Sequence, residues 1–78
     1  MKLVDARVES LLSIRGLAKK SGVDWKTIHN IEKGYALPSL ATIKKLAEVL
    51  QVNPRDIDEF KASMEKAAGR KEDAPANV

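Results

Sequence analysis

The side chains best suited to chemistry lie between Trp25 and Lys33. Two isoleucines, Ile28 and Ile31, have the spacing of a buried helical stripe, and polar or aromatic residues surround them. These residues are Trp25, Lys26, Thr27, His29, Asn30 and Lys33. Lysine can donate to guanine, asparagine can form a bidentate pair with adenine, and both can contact phosphate. The stretch therefore has the chemistry of a DNA-reading helix, although a solvated helix face has a similar composition.

Residues for catalysis or metal binding are too few to form a site. The chain has no cysteine and one histidine, His29, so neither a nucleophile–base pair nor a nitrogen and sulfur metal set can be assembled. Asp56, Asp58 and Glu59 lie close together, but acidic residues are typical of a first helical turn. We therefore expect no enzyme activity, no metal and no other cofactor.

Two short helices and a tight turn position the polar stretch. Ser13 is a suitable N-cap for the first helix, Gly22 can end it, and Asp24 can cap the second. The apolar stripe of the first helix is Ile14, Leu17 and Ala18. Only Gly22, Val23 and Asp24 separate the helices, with Val23 expected in the core. So short a break forces a steep crossing, which predicts helix-turn-helix geometry.

Three further helices complete the predicted fold. The first covers residues 3–12, and two apolar lines could face inward, singly or, if the helix is covered on two sides, together: Val4, Val8, Leu11 and Leu12, or Leu3 and Ala6. Another follows the cap Ser39, with Leu40, Ile43, Leu46, Ala47 and Leu50 in its stripe and Val52 after it. The last runs from Pro54 to about Ala67 and ends at Gly69, burying Ile57 and Phe60. Residues 69–78 have the composition of a disordered tail.

Positive charge is concentrated around the predicted turn. Residues 13–45 carry seven basic and two acidic side chains, whereas residues 46–78 carry five basic and seven acidic ones. A phosphate backbone needs such a local excess of positive charge. No apolar run approaches the roughly 18 residues of a membrane span, and no signal peptide is evident. We expect a cytoplasmic protein that does not contact membranes.

Between Leu3 and Phe60 the sequence resembles the Cro/repressor-type (XRE-like) helix-turn-helix domains of phage and bacterial regulators. The residues that carry the resemblance are Leu17-Ala18, Gly22-Val23, Ile28, Ile31-Glu32-Lys33-Gly34, Pro38-Ser39-Leu40, Ile43, Leu46-Ala47, Leu50 and Val52. The resemblance implies an all-α, compact five-helix bundle of the lambda-repressor-like type. Helices 2 and 3 would form the helix-turn-helix, and helix 3 would enter the major groove of double-stranded DNA. The domain would cover residues 1–68, before the tail at 69–78.

The resemblance also implies roles for individual residues. Base-reading positions fall at Trp25, Lys26, Thr27, Asn30 and His29, although His29 is also expected as an ordinary surface residue. Phosphate-contacting positions fall at Arg7, Ser13, Lys33 and Tyr35, and the local basic charge adds Lys19. Glu32 would be structural. Two positions depart from the family pattern, because Ile14 replaces a common glutamine and Trp25 a common Arg, Gln or Ser. Trp25 could contact DNA, cover a partner protein or be half-buried; we expect partial burial with one edge available to DNA.

The leading functional hypothesis is a repressor that binds a palindromic operator as a homodimer, with half-sites about 34 Å apart. Met64, Ala67 and Ala68 lie beyond the family core and are candidates for the dimer or partner contact. The alternative is an antitoxin-like or other protein-binding module that uses the last helix and tail, with a toxin as one candidate partner. A bacterial or phage origin, with association to the nucleoid when bound, would follow from the first hypothesis.

Overall fold

Five α-helices and one 3₁₀ turn make up residues 1–73, the part of the chain that this computed structural model describes; side chains are described through Gly69. The helices are α1 (Leu3–Glu9), α2 (Ile14–Ser21), α3 (Trp25–Glu32), α4 (Leu40–Leu50) and α5 (Asp58–Asp73), and the 3₁₀ turn is Pro54–Asp56. No strand occurs within these residues, so the predicted all-α, five-helix fold is confirmed. None of the described helices is both long and apolar enough to span a bilayer.

The core forms where the helices meet around α2 and α4. Helix α2 packs against α3 and α4, α1 packs against α3, and α5 packs against α4 and the 3₁₀ turn. The buried apolar side chains are Leu3, Ala6, Leu17, Val23, Ile28, Ile31, Ile43, Leu46, Ala47, Leu50, Ile57 and Phe60. Val52 is half-buried against them. One predicted core residue is placed differently: Leu40 begins α4 but its side chain is 55% exposed.

Helix α1 ends three residues before the predicted boundary. It stops at Glu9, and Leu11 takes a left-handed conformation with φ 59°. The Leu11 N–H donates to the Val8 carbonyl at 2.9 Å and the Leu12 N–H to the Arg7 carbonyl at 3.2 Å. This is a Schellman motif, which normally has glycine at the left-handed position. The inward line of α1 is Leu3 and Ala6, while Val8 and Leu11 are exposed and Leu12 is partly buried against the core.

The caps predicted for the middle helices are present. The Ser13 hydroxyl accepts from the Gly16 N–H at 2.9 Å, the Asp24 carboxylate from the Lys26 N–H at 2.9 Å, and the Ser39 hydroxyl from the Thr42 N–H at 3.2 Å. Gly22 ends α2 at φ 78°, where a side chain would be strained. The α2–α3 turn is therefore built by local hydrogen bonds and one left-handed glycine.

The last predicted helix is two elements rather than one. Pro54–Asp56 forms a single 3₁₀ turn capped by Asn53, and Ile57 is extended at φ −101° and ψ 120° before α5 begins. Ile57 is fully buried, and the next amide, that of Asp58, donates to the Met1 carbonyl at 2.8 Å. Burial of Ile57 and pairing with the first residues thus interrupt what the sequence predicts as a continuous helix.

The predicted helix end at Gly69 is also wrong, because α5 continues to Asp73. Glycine lowers helix stability by only about 0.5–1 kcal/mol relative to alanine. The flanking residues Ala67, Ala68, Arg70 and Lys71 all favour helix. Backbone residues 69–73 of the predicted tail are therefore helical, and residues 74–78 lie outside the described part of the chain. The division into a domain at 1–68 and a tail at 69–78 stays a prediction.

Candidate nucleic-acid interface

Helix α3 is fixed on its inner side by Ile28 and Ile31, which are 0% and 1% exposed. Helical spacing then places the outward side chains in two adjacent rows, since residues four apart lie one above the other. One row is Trp25, His29 and Lys33, and the other is Lys26 and Asn30. We call these five residues the reading face. It displays an indole, an imidazole, an amide and two ammonium groups on one side of a rigid helix.

Thr27 lies apart from the reading face. The same spacing places it on the flank next to Ile31, and its side chain is half-buried. His29 is also half-buried, and its ring meets the Tyr35 ring edge-on, with centroids 6.4 Å apart and an interplanar angle of 63°. The structure thus brings together a predicted base-reading residue and a predicted phosphate contact. Base contacts by Thr27 and His29 stay predictions.

Trp25 is 38% exposed, in agreement with the predicted partial burial. The Cζ atom of Arg15, in the first turn of α2, lies 5.0 Å from the centre of the Trp25 ring. The Nζ atom of Lys26 lies 5.9 Å from the same centre. Arg15 was not among the site residues predicted from the sequence. Its position was nevertheless a signal, because the positive end of the helix dipole disfavours a cation in a first turn.

The Arg7 side chain is largely buried in an ion pair. Its Nε donates to Glu32 Oε2 at 2.7 Å, one terminal nitrogen to Glu32 Oε1 at 3.2 Å, and the other to the Leu12 carbonyl at 2.9 Å. The two side chains are only 13% and 7% exposed. The predicted structural role of Glu32 is present in this bidentate pair, which joins α1 to the end of α3. With three donors engaged internally, Arg7 is poorly placed for the predicted phosphate contact.

The other four predicted phosphate contacts are exposed. Ser13 and Lys19 lie at the two ends of α2, and Lys33 lies at the end of α3. Tyr35 is 74% exposed and follows Gly34, which is left-handed at φ 79°. The Tyr35 N–H donates to the Asn30 carbonyl at 2.8 Å, which fixes this loop directly below the reading face. These positions suit phosphate contacts on either side of a groove.

An exposed, largely apolar surface lies where α4 meets α5. One groove of about 410 Å³ passes Leu40, Ile43, Ala47, Val52, Pro54 and Met64. A second groove of about 360 Å³ is lined by Leu37, Pro38, Leu40, Ser63 and Ala67, among others. Leu37 and Leu40 are 51% and 55% exposed, and Ala68 is exposed on α5, where it lines a separate groove with Met64. We call Leu37, Leu40, Met64 and Ala67 the α4–α5 surface.

Comparison with known proteins gives one match. A protein-family model described as helix-turn-helix matches residues 3–57, which is more than half of the chain. No curated protein and no solved structure matches significantly. The matched segment begins at the first residue of α1, contains the whole reading face, and ends at Ile57 before α5. The family match thus covers the same residues that form α2, the turn and α3.

Proposed function

The chain belongs to the Cro/XRE-like helix-turn-helix family of DNA-binding transcriptional regulators, and we propose that it is a sequence-specific repressor that binds a palindromic operator as a homodimer. The observation that carries the proposal is the reading face. It combines side chains suited to base contacts on one side of α3 with a tight turn between α2 and α3.

In this proposal α3 enters the major groove, and the side chains around it contact different parts of the DNA. Lys26 and Asn30 are exposed and have the chemistry to specify guanine and adenine. Trp25 contributes an apolar edge for a thymine methyl or a sugar. Ser13, Lys19, Lys33 and Tyr35 contact phosphates and set the register, while Arg7 is omitted because Glu32 engages it.

The α4–α5 surface supports the homodimer. A palindromic operator requires two reading helices related by a two-fold axis, and such an axis pairs the same patch on both subunits. The exposed Leu37 and Leu40, together with Met64 and Ala67, form an apolar patch that a second copy would cover. Ala68 lies next to it. None of the five residues of the reading face lines these grooves, so this dimer contact would leave the reading face free.

A regulator of this kind acts by occupying DNA, so we expect the protein in the bacterial cytoplasm, associated with the nucleoid when bound. Regulation would then depend on protein concentration, since dimerisation and operator binding are both governed by mass action. An antitoxin-like role would use the α4–α5 surface for a different protein, and the experiment below separates the two.

The test is selection from a pool of random-sequence duplexes, followed by sequencing of the bound fraction at several salt concentrations. We expect enrichment of a palindrome and sedimentation of a dimer. Lys26→Ala and Asn30→Ala should each relax the preference at a different base position. The matched comparison is Lys33→Ala, on the same helix, which should lower affinity for every sequence alike.

Three results would count against the proposal. Selection without an enriched sequence would remove the specific-regulator role. A monomer at the concentrations that saturate DNA would remove the homodimer. If both occurred and the α4–α5 surface bound another protein, the antitoxin-like role would replace the repressor role.

A further inference from the structure

Arg15 and Trp25 come from different helices and meet across the α2–α3 turn. The Arg15 Cζ atom lies 5.0 Å from the Trp25 ring centre, within the roughly 6 Å range of a cation–π contact. Lys26 approaches the same ring at 5.9 Å. One exposed indole therefore has two cations around it, at the first residues of the reading helix.

The positive charge of Arg15 is not neutralised by any acidic side chain in the described part of the protein. The first turn of α2 contains no acidic residue, although the dipole favours an acid and disfavours Arg15 there. Among the side chains that the structure describes, Arg15 forms no ion pair. Contact with the indole ring offsets part of the unfavourable interaction between Arg15 and the helix dipole, and an external anion would offset the rest.

The proposed function supplies that anion. When a helix-turn-helix docks, the first helix of the pair crosses the DNA backbone while the second enters the groove. Arg15 is in the first turn of α2 and touches the first residue of α3, so it lies where the backbone would pass the groove edge. A phosphate there would contact the guanidinium from the solvent side.

We propose that Arg15 is a DNA phosphate contact, and that Trp25 is the positioning residue that holds its guanidinium in place. This inference rests on the proposed function and names a residue that the family resemblance did not. The planar guanidinium suits both tasks, because its face can stack on indole while its edge donates two parallel hydrogen bonds to phosphate. Lysine would keep the charge but lose the stacked, bidentate geometry.

The first measurement uses one fixed duplex of arbitrary sequence as well as any enriched operator, so that it does not depend on specificity. Arg15→Gln should weaken binding to both by about tenfold. It should also make the slope of log K against log salt less steep by about 0.9, the change expected when one phosphate contact is lost. Arg15→Lys should retain the slope but bind more weakly than the wild type. The control Arg55→Gln removes the same group from the 3₁₀ turn, which packs on α4 and α5, and should leave the slope unchanged.

The second measurement tests the role of Trp25 by a double-mutant cycle with Trp25→Ala, Arg15→Gln and both together. If Trp25 positions Arg15, Trp25→Ala should cost more affinity in the wild type than in the Arg15→Gln background. Trp25→Phe, which keeps an aromatic face, should restore much of the coupling. In the free protein, NMR signals of the Arg15 side chain should be shifted by the indole ring and lose that shift in Trp25→Ala.

The outcomes are distinguishable. An unchanged salt slope for Arg15→Gln on both duplexes overturns the phosphate contact, even if an operator is enriched. Additive losses in the cycle overturn the positioning role of Trp25 alone. Binding without sequence preference contradicts the proposed function, while the slope measured on the fixed duplex still decides the role of Arg15. Absence of any DNA binding overturns both.

Discussion

Replacing Glu32 tests the contact that joins α1 to the reading helix. Glu32 accepts two hydrogen bonds from Arg7, at 2.7 and 3.2 Å, in a pair whose side chains are 13% and 7% exposed. At such low exposure solvent screens the pair weakly. Glu32→Ala would leave the Arg7 guanidinium largely buried without its counter-charge, and removing one member of a buried pair typically costs about 3–5 kcal/mol. Since Arg7 keeps its bond to the Leu12 carbonyl, we expect about 3 kcal/mol.

This loss is large for a chain of 78 residues, whose total stability is roughly 4–12 kcal/mol. It corresponds to a fall in Tm of roughly 12–24 °C, at about 4–8 °C per kcal/mol for a domain of this size. Glu32→Gln keeps one acceptor and should cost less, about 2 kcal/mol. The double change Arg7→Met with Glu32→Leu removes both charges and should be more stable than Glu32→Ala alone.

Urea and thermal unfolding followed by circular dichroism measure these differences. The matched control is Glu48→Gln, which changes an exposed carboxylate on α4 and should alter stability by less than about 0.5 kcal/mol. A cost below 1 kcal/mol for Glu32→Ala would refute the argument. It would mean that the pair is solvated and that Arg7 is available for the phosphate contact that the family resemblance implies.

Three further substitutions test other features. Leu11→Gly should raise stability by about 0.5–1 kcal/mol, because Leu11 is 91% exposed and strained at φ 59°, and a lower midpoint in urea would contradict this. Gly69→Ala should stabilise α5 by a similar amount, since an added Cβ meets no described atom within 4 Å; no gain in helicity would place the helix end at Gly69 after all. Ser63→Ala should stabilise by about 1 kcal/mol, because the buried Ser63 hydroxyl has no hydrogen-bond partner among the described residues, and a destabilised variant would indicate that water occupies that position.

Local signals predicted most of the fold. Ser13, Asp24 and Ser39 were recognisable as caps, and Gly22 as a helix end, because each acts on neighbours within three or four residues. The errors had more than one cause. Leu11 adopts a glycine-like conformation that its residue type does not favour, whereas the Asp58 amide pairs with Met1 far away in sequence. No local pattern contains the second contact.

The candidate site was predictable only where local helical spacing determines which way a side chain faces. Helical spacing was enough to place Lys26, Asn30 and Lys33 on one side of α3. It could not show that Arg7 turns inward to Glu32, or that Arg15 of α2 reaches Trp25 of α3, because both contacts join different helices. The sequence therefore predicted the reading helix well and the residues around it less well.

The α2–α3 turn has a mechanical consequence for recognition. Gly22 is left-handed, Val23 is 8% exposed, and Asp24 is bonded to the next helix, while Arg7 fastens the far end of α3. With both ends fixed, we expect α3 to move little relative to the rest of the domain. In the proposed complex, a mismatch between protein and operator would then be taken up by the DNA, whose bending costs on the order of 1–6 kcal/mol depending on sequence. Bases that no side chain touches would thus influence affinity through their stiffness.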